Sequence, residues 1–454
     1  MLSIKAKNKH LPGAAVISIS FIGIILVGTL LLMMPFSSAR GAFTNPLTAL
    51  FTATSATCVT GLVVVDTGTY WSIFGQVVIL IMIQIGGLGL VTFVSFINFL
   101  IRKKPELHSM KVASESVNSS GFYDVKETVR RVIAISFSAE AVGALLLMTS
   151  YIPKFGTARG IYFSIYHSIT AFCNAGFDIM GMNSPEFSSM TSLSYDPVTI
   201  IVVPLLITAG GLGFVVWTDL IEYRKNKRLA FQSKLVLSVT AILVLLGTLL
   251  TLITEWDNPE TLGRHSFLYK LGNSFFYSVT LRTAGFNTFN IMEMTPVMKI
   301  FSILFMFIGV APGSTGGGVK TTTFAIVILT VTSVITGKND TIVMGRKIEK
   351  DVVYKSLSVM FIFASLIIAS AMIIYYINPG ISGVDSAFEV TSAISTTGLG
   401  MGISAASSVI TKLILILIMF IGRLGTVSLS LALAMNSKHQ NKSEVYPVGK
   451  ITIG

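Results

Sequence analysis

The chain has 454 residues, 52% of them hydrophobic and only 12% charged, with a mean hydropathy of +0.77 and a formal net charge of +12. Soluble domains carry about 25% charged residues, so the composition excludes an ordinary water-soluble module and indicates an all-α polytopic membrane protein. Two cysteines, Cys58 and Cys173, exclude a disulfide framework and a cysteine-ligated metal site.

After a short N-terminal segment, 1–13, the run Ala14–Phe36 reaches the roughly 20 apolar residues that cross a bilayer. It is too long for the apolar region of a signal peptide and lacks a small-residue cleavage site. Next comes FTATSATCVTGL, ending at Leu62, too short to span a membrane and too apolar for an ordinary loop. A second long run, Phe74–Leu100, follows. The same order then recurs three times. Val129–Ile152, YHSITAFCNAGF and Thr199–Leu220 are followed by Ser233–Thr254, FYSVTLRTAGF and Lys299–Ile335, and then by Val353–Ile377, FEVTSAISTTGLG and Thr411–Met435. The tail 436–454 is polar, and Pro447 and Gly449 discourage helix.

The short segments align on Gly61, Gly176, Gly285 and Gly398. Ten residues before each glycine stands an aromatic: Phe51, Tyr166, Phe275 or Phe388. Six before stands Ser55, Thr170 or Ser392, with Val279 as the exception, and the residue just before is Thr60, Ala175, Ala284 or Thr397. The later runs share IQIGGLG, ITAGGLG and FIGRLG, whereas the third reads FIGVAPGSTGGGVK. The expected unit is helix, re-entrant half-helix, helix (M1–P–M2). Two crossings per unit return the chain to one side, so the four units are parallel and surround an axis along the membrane normal, unlike inverted carrier repeats. Eight transmembrane helices and four half-helices are expected around one central pore, with repeats at 14–100, 101–220, 221–336 and 337–435.

Charge sets the expected orientation. Segments 1–13, 101–131, 219–234, 337–355 and 436–454 hold 23 Lys plus Arg against 10 Asp plus Glu, and the opposite side holds 8 against 10. The positive-inside rule puts both termini in the cytoplasm. The basic residues are scattered over separate short loops, which argues against nucleic-acid binding.

A half-helix ending in small residues and glycine presents extended backbone at membrane depth, tolerated only within protein or beside a water-filled cavity. Four such ends converging on an axis offer carbonyl oxygens that replace the water shell of a desolvated cation, and helix C-termini add partial negative charge. Each short segment therefore reads as one quarter of a selectivity filter.

Four M1–P–M2 units in one chain, single-glycine filters in VTGL and TAGF, the GGLG and GRLG motifs and a glycine-rich break in the third M2 resemble the Trk/Ktr/HKT potassium transporters. The chain is most similar to the Ktr-type membrane subunit (KtrB/KtrD-like), and the resemblance covers essentially its whole length. It implies potassium uptake across a bacterial cytoplasmic membrane, with Na⁺ as a candidate activator. It also implies a homodimer and a cytosolic RCK (KTN) nucleotide-binding ring, KtrA/KtrC-like, that opens the gate, for which loops 101–131 and 337–355 are docking candidates. The K⁺ ligands would be the carbonyls of Val59, Thr60, Gly61, Asn174, Ala175, Gly176, Thr283, Ala284, Gly285, Thr396, Thr397 and Gly398, extended outward to Cys58, Cys173, Arg282 and Ser395. No segment carries the TVGYG of potassium channels, which leaves the preference for K⁺ over Na⁺ open. This chain has no strand run preceding a G-x-G-x-x-G, so no nucleotide is expected on it.

The stretch 311–323, APGSTGGGVKTTT, interrupts the third M2; Pro312, Gly313, Gly316, Gly317 and Gly318 cannot sustain a helix. It reads as an intramembrane gate, with a passive kink as the plainer alternative; as a phosphate loop it fails the Walker pattern. Arg423 stands where the first two repeats have glycine. A charge there costs roughly 2.5 kcal/mol or more unless it faces protein or water, so it is expected at the pathway beside the loop, against the alternative of a plain interhelical hydrogen bond. Lys320 is a second cation at membrane depth, Glu140 a candidate counter-charge, and Arg282 is expected to point away from the filter toward Glu389. The five histidines lack metal-ligand spacing and no nucleophile or paired carboxylates stand out, so no enzyme is expected. The competing readings are a carrier with a midplane site, which predicts paired broken helices in inverted halves, and a permease coupled to an ATPase.

Overall fold

Three of the four short glycine segments have a helix start that the sequence supplies as a capping side chain, the second starting after Gly156 without one. Asn45 accepts from the Leu47 amide at 2.9 Å with Pro46 behind it and opens a helix at Pro46–Thr57; Ser382 accepts from Asp385 N at 3.0 Å and opens Gly383–Ile394. Such caps satisfy amides that have no intrahelical acceptor. A computed structural model describes residues 13–89, 125–338 and 340–437. Residues 1–12, the second part of the Phe74–Leu100 run, most of the 101–131 loop and the tail 438–454 lie outside the described residues.

The main helices are α1 (Gly13–Met33), α2 (Pro46–Thr57), α3 (Ile73–Leu88), α4 (Val125–Phe155), α5 (Thr157–Phe172), α6 (Pro197–Gly211), α7 (Phe214–Asn226), α8 (Phe231–Thr254), α9 (Phe267–Thr280), α10 (Pro296–Phe307), α11 (Thr321–Ile335), α12 (Lys350–Ile377), α13 (Gly383–Ile394) and α14 (Val409–Ser437). Among the described residues four helices are long and apolar enough to cross a membrane: Ala15–Met33, Val129–Phe155, Phe231–Thr254 and Lys350–Ile377. Their outward sides carry exposed Leu26, Leu30, Leu145, Leu245 and Ile368, as a lipid-facing surface requires. A two-stranded hairpin, β1 (Ile342–Val343) and β2 (Arg346–Lys347), lies between α11 and α12 and turns through Met344 and Gly345 at positive φ.

Packing follows the chain in a closed order. Each long helix packs on the short one after it: α1 on α2, α4 on α5, α8 on α9, α12 on α13. Each later helix packs on the next short one: α3 on α5, α6 on α9, α10 on α13, and α14 back on α2. The short helices are thereby buried; Phe51, Tyr166, Phe276 and Phe388 are all fully enclosed. In three cases the buried ring is the aromatic ten residues before the glycine. In the third repeat Phe275 is only half-buried and its neighbour Phe276 fills the core.

Two expected runs differ. Thr199–Leu220 is not one helix: α6 and α7 meet at 97°. Gly213 takes φ +86 there, and the bend is held by Phe214 N donating to Gly313 O at 3.0 Å and by Trp217 Nε1 donating to Ala209 O at 2.8 Å. A second later helix is thus broken besides the third, where only one was expected. The break in the third run covers 308–320 instead of 311–323, because Phe307 is the last residue of α10 and Thr321 is the first of α11.

Candidate functional site

The short helices α2, α5, α9 and α13 all end inside the protein and unwind in the same manner. The residue two before each glycine takes a left-handed conformation, with φ of 57° at Val59, 58° at Asn174, 60° at Thr283 and 53° at Thr396. Left-handed residues commonly close a helix. Thr60 N, Ala175 N and Thr397 N then reach back to Ser55 O, Thr170 O and Ser392 O, each at 2.8 Å. The third segment closes one residue tighter, Ala284 N to Thr280 O at 3.0 Å. At Ser55 the hydroxyl also accepts from Gly61 N at 3.1 Å.

The glycines follow at φ of 94°, 67°, 83° and 90° and meet in a ring. A Cβ on Gly61 would come within 2.5 Å of Ala175 O, on Gly176 within 2.7 Å of Ala284 O, and on Gly285 within 2.6 Å of Thr397 O. On Gly398 it would overlap Thr60 O, which closes the circle. Both the sign of φ and the approach of the neighbouring carbonyl require glycine. The structure thus brings Val59 to Gly61, Asn174 to Gly176, Thr283 to Gly285 and Thr396 to Gly398 together from four distant parts of the chain, with Cys58, Cys173, Arg282 and Ser395 behind them. Both thiols are free and buried. The hydroxyls of Thr60, Thr283 and Thr397 are buried without a protein partner.

One face of the ring opens into a cavity of about 220 Å³ bounded by the four glycines, Asp66 and Asp178. Asp66 is fully engaged, accepting from Gly68 N, Thr69 N, Thr69 Oγ1 and Phe187 N at 2.9 to 3.1 Å. Asp178 accepts from Met180 N at 3.0 Å. Burial, and then the charge of Asp66, push its carboxyl up to about 7. Glu389 also borders the cavity, but its oxygens accept from Met401 N at 2.6 Å and from Ser404 N and Oγ at 2.9 and 2.5 Å. It secures the turn after Gly398 and is not the partner of Arg282. The Arg282 guanidinium donates to Gly309 O at 3.3 Å instead, where the third later helix breaks.

The 308–320 loop lies against the other parts of the segments. Its two ends are zipped by Gly309 N to Val319 O at 2.8 Å and Thr321 N to Val310 O at 3.2 Å. Pro312 O packs on Gly213, Gly313 O holds Phe214 N, Gly316 sits on the Thr283 hydroxyl, and Gly318 faces Ser395. Gly317 N donates to Thr396 Oγ1 at 2.9 Å, and Lys320 Nζ donates to Gly316 O at 2.7 Å. Arg423 donates to Thr315 O within the loop and to Gly86 O on α3. Glu140 accepts from Gln84 Nε2 at 2.9 Å, an amide and not a cation.

Sequence reasoning missed three features. Thr315, which binds the side chain of Asn174 at 3.1 Å, was not singled out from its loop. The first glycines of the GGLG and GRLG motifs were read only as a signature. A Cβ on Gly86, Gly210 or Gly422 would overlap the carbonyl of Thr57, Phe172 or Ile394, so these glycines let the later helices pack on the ends of the short ones. The signal was present in their recurrence at the same motif position of three later runs. The role of Glu389 had no readable signal, because two of its three donors are backbone amides and the third is the hydroxyl of Ser404.

Short buried helices whose unwound ends converge within a shell of apolar spans define a helical membrane protein with backbone carbonyls gathered about one axis. A family model described as TrkH, cation transport protein, matches residues 10–444, and the chain belongs to that family. Its relatives include the potassium/sodium uptake protein NtpJ of Enterococcus hirae, 37% identical with 99% of each chain covered. They also include the Ktr system potassium uptake protein B of Bacillus subtilis, 36% identical over 97% of this chain and 96% of that one. The fold is shared with the potassium transporter TrkH from Vibrio parahaemolyticus, at a TM-score of 0.70 and 17% identity over 96% of this chain and 86% of that one. The protein is accordingly a multi-pass membrane transporter of this family and not an enzyme.

Proposed function

We propose that the protein takes up potassium across the cytoplasmic membrane through a single pore built from four parallel M1–P–M2 repeats. The observation that carries this reading is the closed ring in which each glycine abuts the carbonyl of the next segment. Carbonyls of the residues at and before Gly61, Gly176, Gly285 and Gly398 replace the water shell of K⁺, and the C-terminal ends of α2, α5, α9 and α13 add negative potential at that point. The cavity beside Asp178 is the outer mouth, and the 308–320 loop, with Arg423 and Lys320, is the gate on the inner side. Both termini are cytoplasmic. The names of the B. subtilis and E. hirae relatives support potassium as cargo, and the second also supports a sodium contribution, as a co-transported ion or an activator. The chain acts as a homodimer with a cytosolic nucleotide-binding ring of RCK type.

Ion uptake in cells lacking their own potassium importers tests the reading. The chain alone, with an RCK partner, and as Gly285→Ser are compared in K⁺ and in Na⁺. Saturable K⁺ uptake that the partner raises and Gly285→Ser weakens is expected. No flux from folded protein in the membrane would sink it, and equal K⁺ and Na⁺ flux would remove the selectivity claim while leaving the pore.

A further inference from the structure

The four residues two before the glycines share an anomaly. Val59, Asn174, Thr283 and Thr396 all have φ between 53° and 60°. Three of them are β-branched, and such residues rarely take this conformation. A strained backbone persists only where its surroundings over-determine it. Here those surroundings include the 308–320 loop. Thr315 Oγ1 lies 3.1 Å from the Asn174 side-chain amide and 3.3 Å from Phe172 O. Thr283 packs its hydroxyl on Gly316, where a Cβ would collide with it. Thr396 Oγ1 accepts from Gly317 N at 2.9 Å. Val59 has no polar atom; its Cγ2 would stand 2.9 Å from a Cβ on Gly86. The Gly86 carbonyl accepts from Arg423, which also binds Thr315 O. All four left-handed residues are thus tied to one loop, three by direct contact and one through Gly86 and Arg423.

We propose that the 308–320 loop is a clamp on the filter as well as a plug below it, and that Thr315, Asn174 and Thr396 are therefore specificity-determining residues. With the loop seated, its contacts hold the left-handed residues and so fix the direction of the carbonyls on either side of them. When the loop moves, the Asn174 amide and the Thr396 hydroxyl lose a buried partner and the ring loosens. Discrimination between K⁺ and Na⁺ and the opening of the pore are then linked, whereas a simple plug changes the rate and leaves discrimination alone.

The inference rests on the filter-and-gate reading, and the test separates the two. The full-length protein is reconstituted in liposomes, and K⁺ uptake is measured against increasing Na⁺ for wild type, Thr396→Val, Thr396→Ser and Thr315→Val. Valine is compatible with the backbone here, since Val59 holds the same conformation at the equivalent place (φ 57° against 53°). Thr396→Val and Thr315→Val are each expected to raise the maximal rate and to lower K⁺ over Na⁺ discrimination about fivefold, the scale of one neutral hydrogen bond. Thr396→Ser keeps the acceptor and is expected to retain wild-type discrimination. Faster uptake with unchanged discrimination in both valine variants would overturn the clamp and leave the gate standing. So would equal loss in Thr396→Ser and Thr396→Val, because the hydroxyl would then be irrelevant. Absence of K⁺ uptake by the wild type would overturn the filter reading, and the clamp with it.

Discussion

Around the ring, Gly61, Gly176, Gly285 and Gly398 make one contact four times, each against the carbonyl of the next segment. Behind the ring, the helices that follow diverge. α3 ends at Leu88, with Gly89 after it at φ +81; α6 turns by 97° into α7 at Gly213 with φ +86; α10 and α11 are separated by the 308–320 loop; α14 runs on through Arg423 and Gly425. The glycines that touch the short helices, Gly86, Gly210 and Gly422, are alike; one turn further on Gly89 and Gly213 both leave the helix at positive φ, whereas Gly425 continues it. A desolvated cation without directional bonds is best served by equivalent ligands on every side. The proposed gate needs one element that moves against others that do not, and the 308–320 loop has asymmetric neighbours: the bend at Gly213 makes room for Pro312 and Gly313, and Arg423 reaches it from α14.

Breaking the symmetric part should have the largest effect. Gly398→Ala forces a Cβ into Thr60 O and a side chain onto φ 90°. Such forced backbone costs about 1–3 kcal/mol and displaces a ligand, so K⁺ uptake is expected to fall at least tenfold, measured as initial rates at matched membrane protein levels. Near-normal uptake would mean that the ring contact is not part of the conduction path.

The asymmetric part should respond in the opposite direction. Arg423→Gln removes a charged donor shared by Thr315 O and Gly86 O. Charged hydrogen bonds contribute about 1.5–3 kcal/mol, so the loop is released and uptake without a regulator is expected to rise several-fold. Unchanged flux would reduce Arg423 to a helix-to-helix strut.

The two regions were also unequally legible. The ring was readable because its requirement is local and repeated: a glycine that must take positive φ, a small residue before it, and an apolar helix ahead of it. Even there Val279 marked the deviating quarter, which closes on Thr280 where the others reach one residue further back. The 308–320 loop was readable as composition only. Pro312 and the glycines announce a break, but not that Gly213, about a hundred residues earlier, bends to receive it. The partners of Arg282 and Glu389 are mostly backbone groups, Gly309 O for the one and Met401 N and Ser404 N, beside the Ser404 hydroxyl, for the other, and a sequence carries no sign of which backbone group faces which side chain.

A smaller test compares quarters within the ring. The Ser55 hydroxyl accepts from Gly61 N, whereas the equivalent Ser392 hydroxyl has no protein partner. Ser55→Ala strands a buried amide, at about 1–3 kcal/mol, and is expected to lower the melting temperature of the purified protein more than Ser392→Ala. Equal shifts would show that the quarters are supported alike and that the extra bond at Ser55 adds nothing.

The smallest effect concerns the approach to the ring. Of the carboxylates beside the cavity, Asp66 takes four donors and Glu389 three, while Asp178 takes Met180 N. Asp178 therefore retains the most capacity to attract a cation at the mouth. Asp178→Asn removes that charge without changing the ring, so half-saturation for K⁺ is expected to rise about threefold, below the roughly tenfold or more of a cleft lined by many like charges because a single carboxylate is lost, while the maximal rate stays within experimental scatter. The difference should shrink in high salt, which screens exposed charges. Its sign with pH also follows. Burial and the charge of Asp66 raise the carboxyl to about 7, so it is ionised mainly above that value. The gap between wild type and Asp178→Asn should be widest at an external pH of about 8 and close toward pH 6, where the wild-type side chain is neutral as well. A gap that persists unchanged at pH 6 would assign the effect to the hydrogen bond with Met180 N and not to charge, and the outer cavity would then be an opening that does no steering.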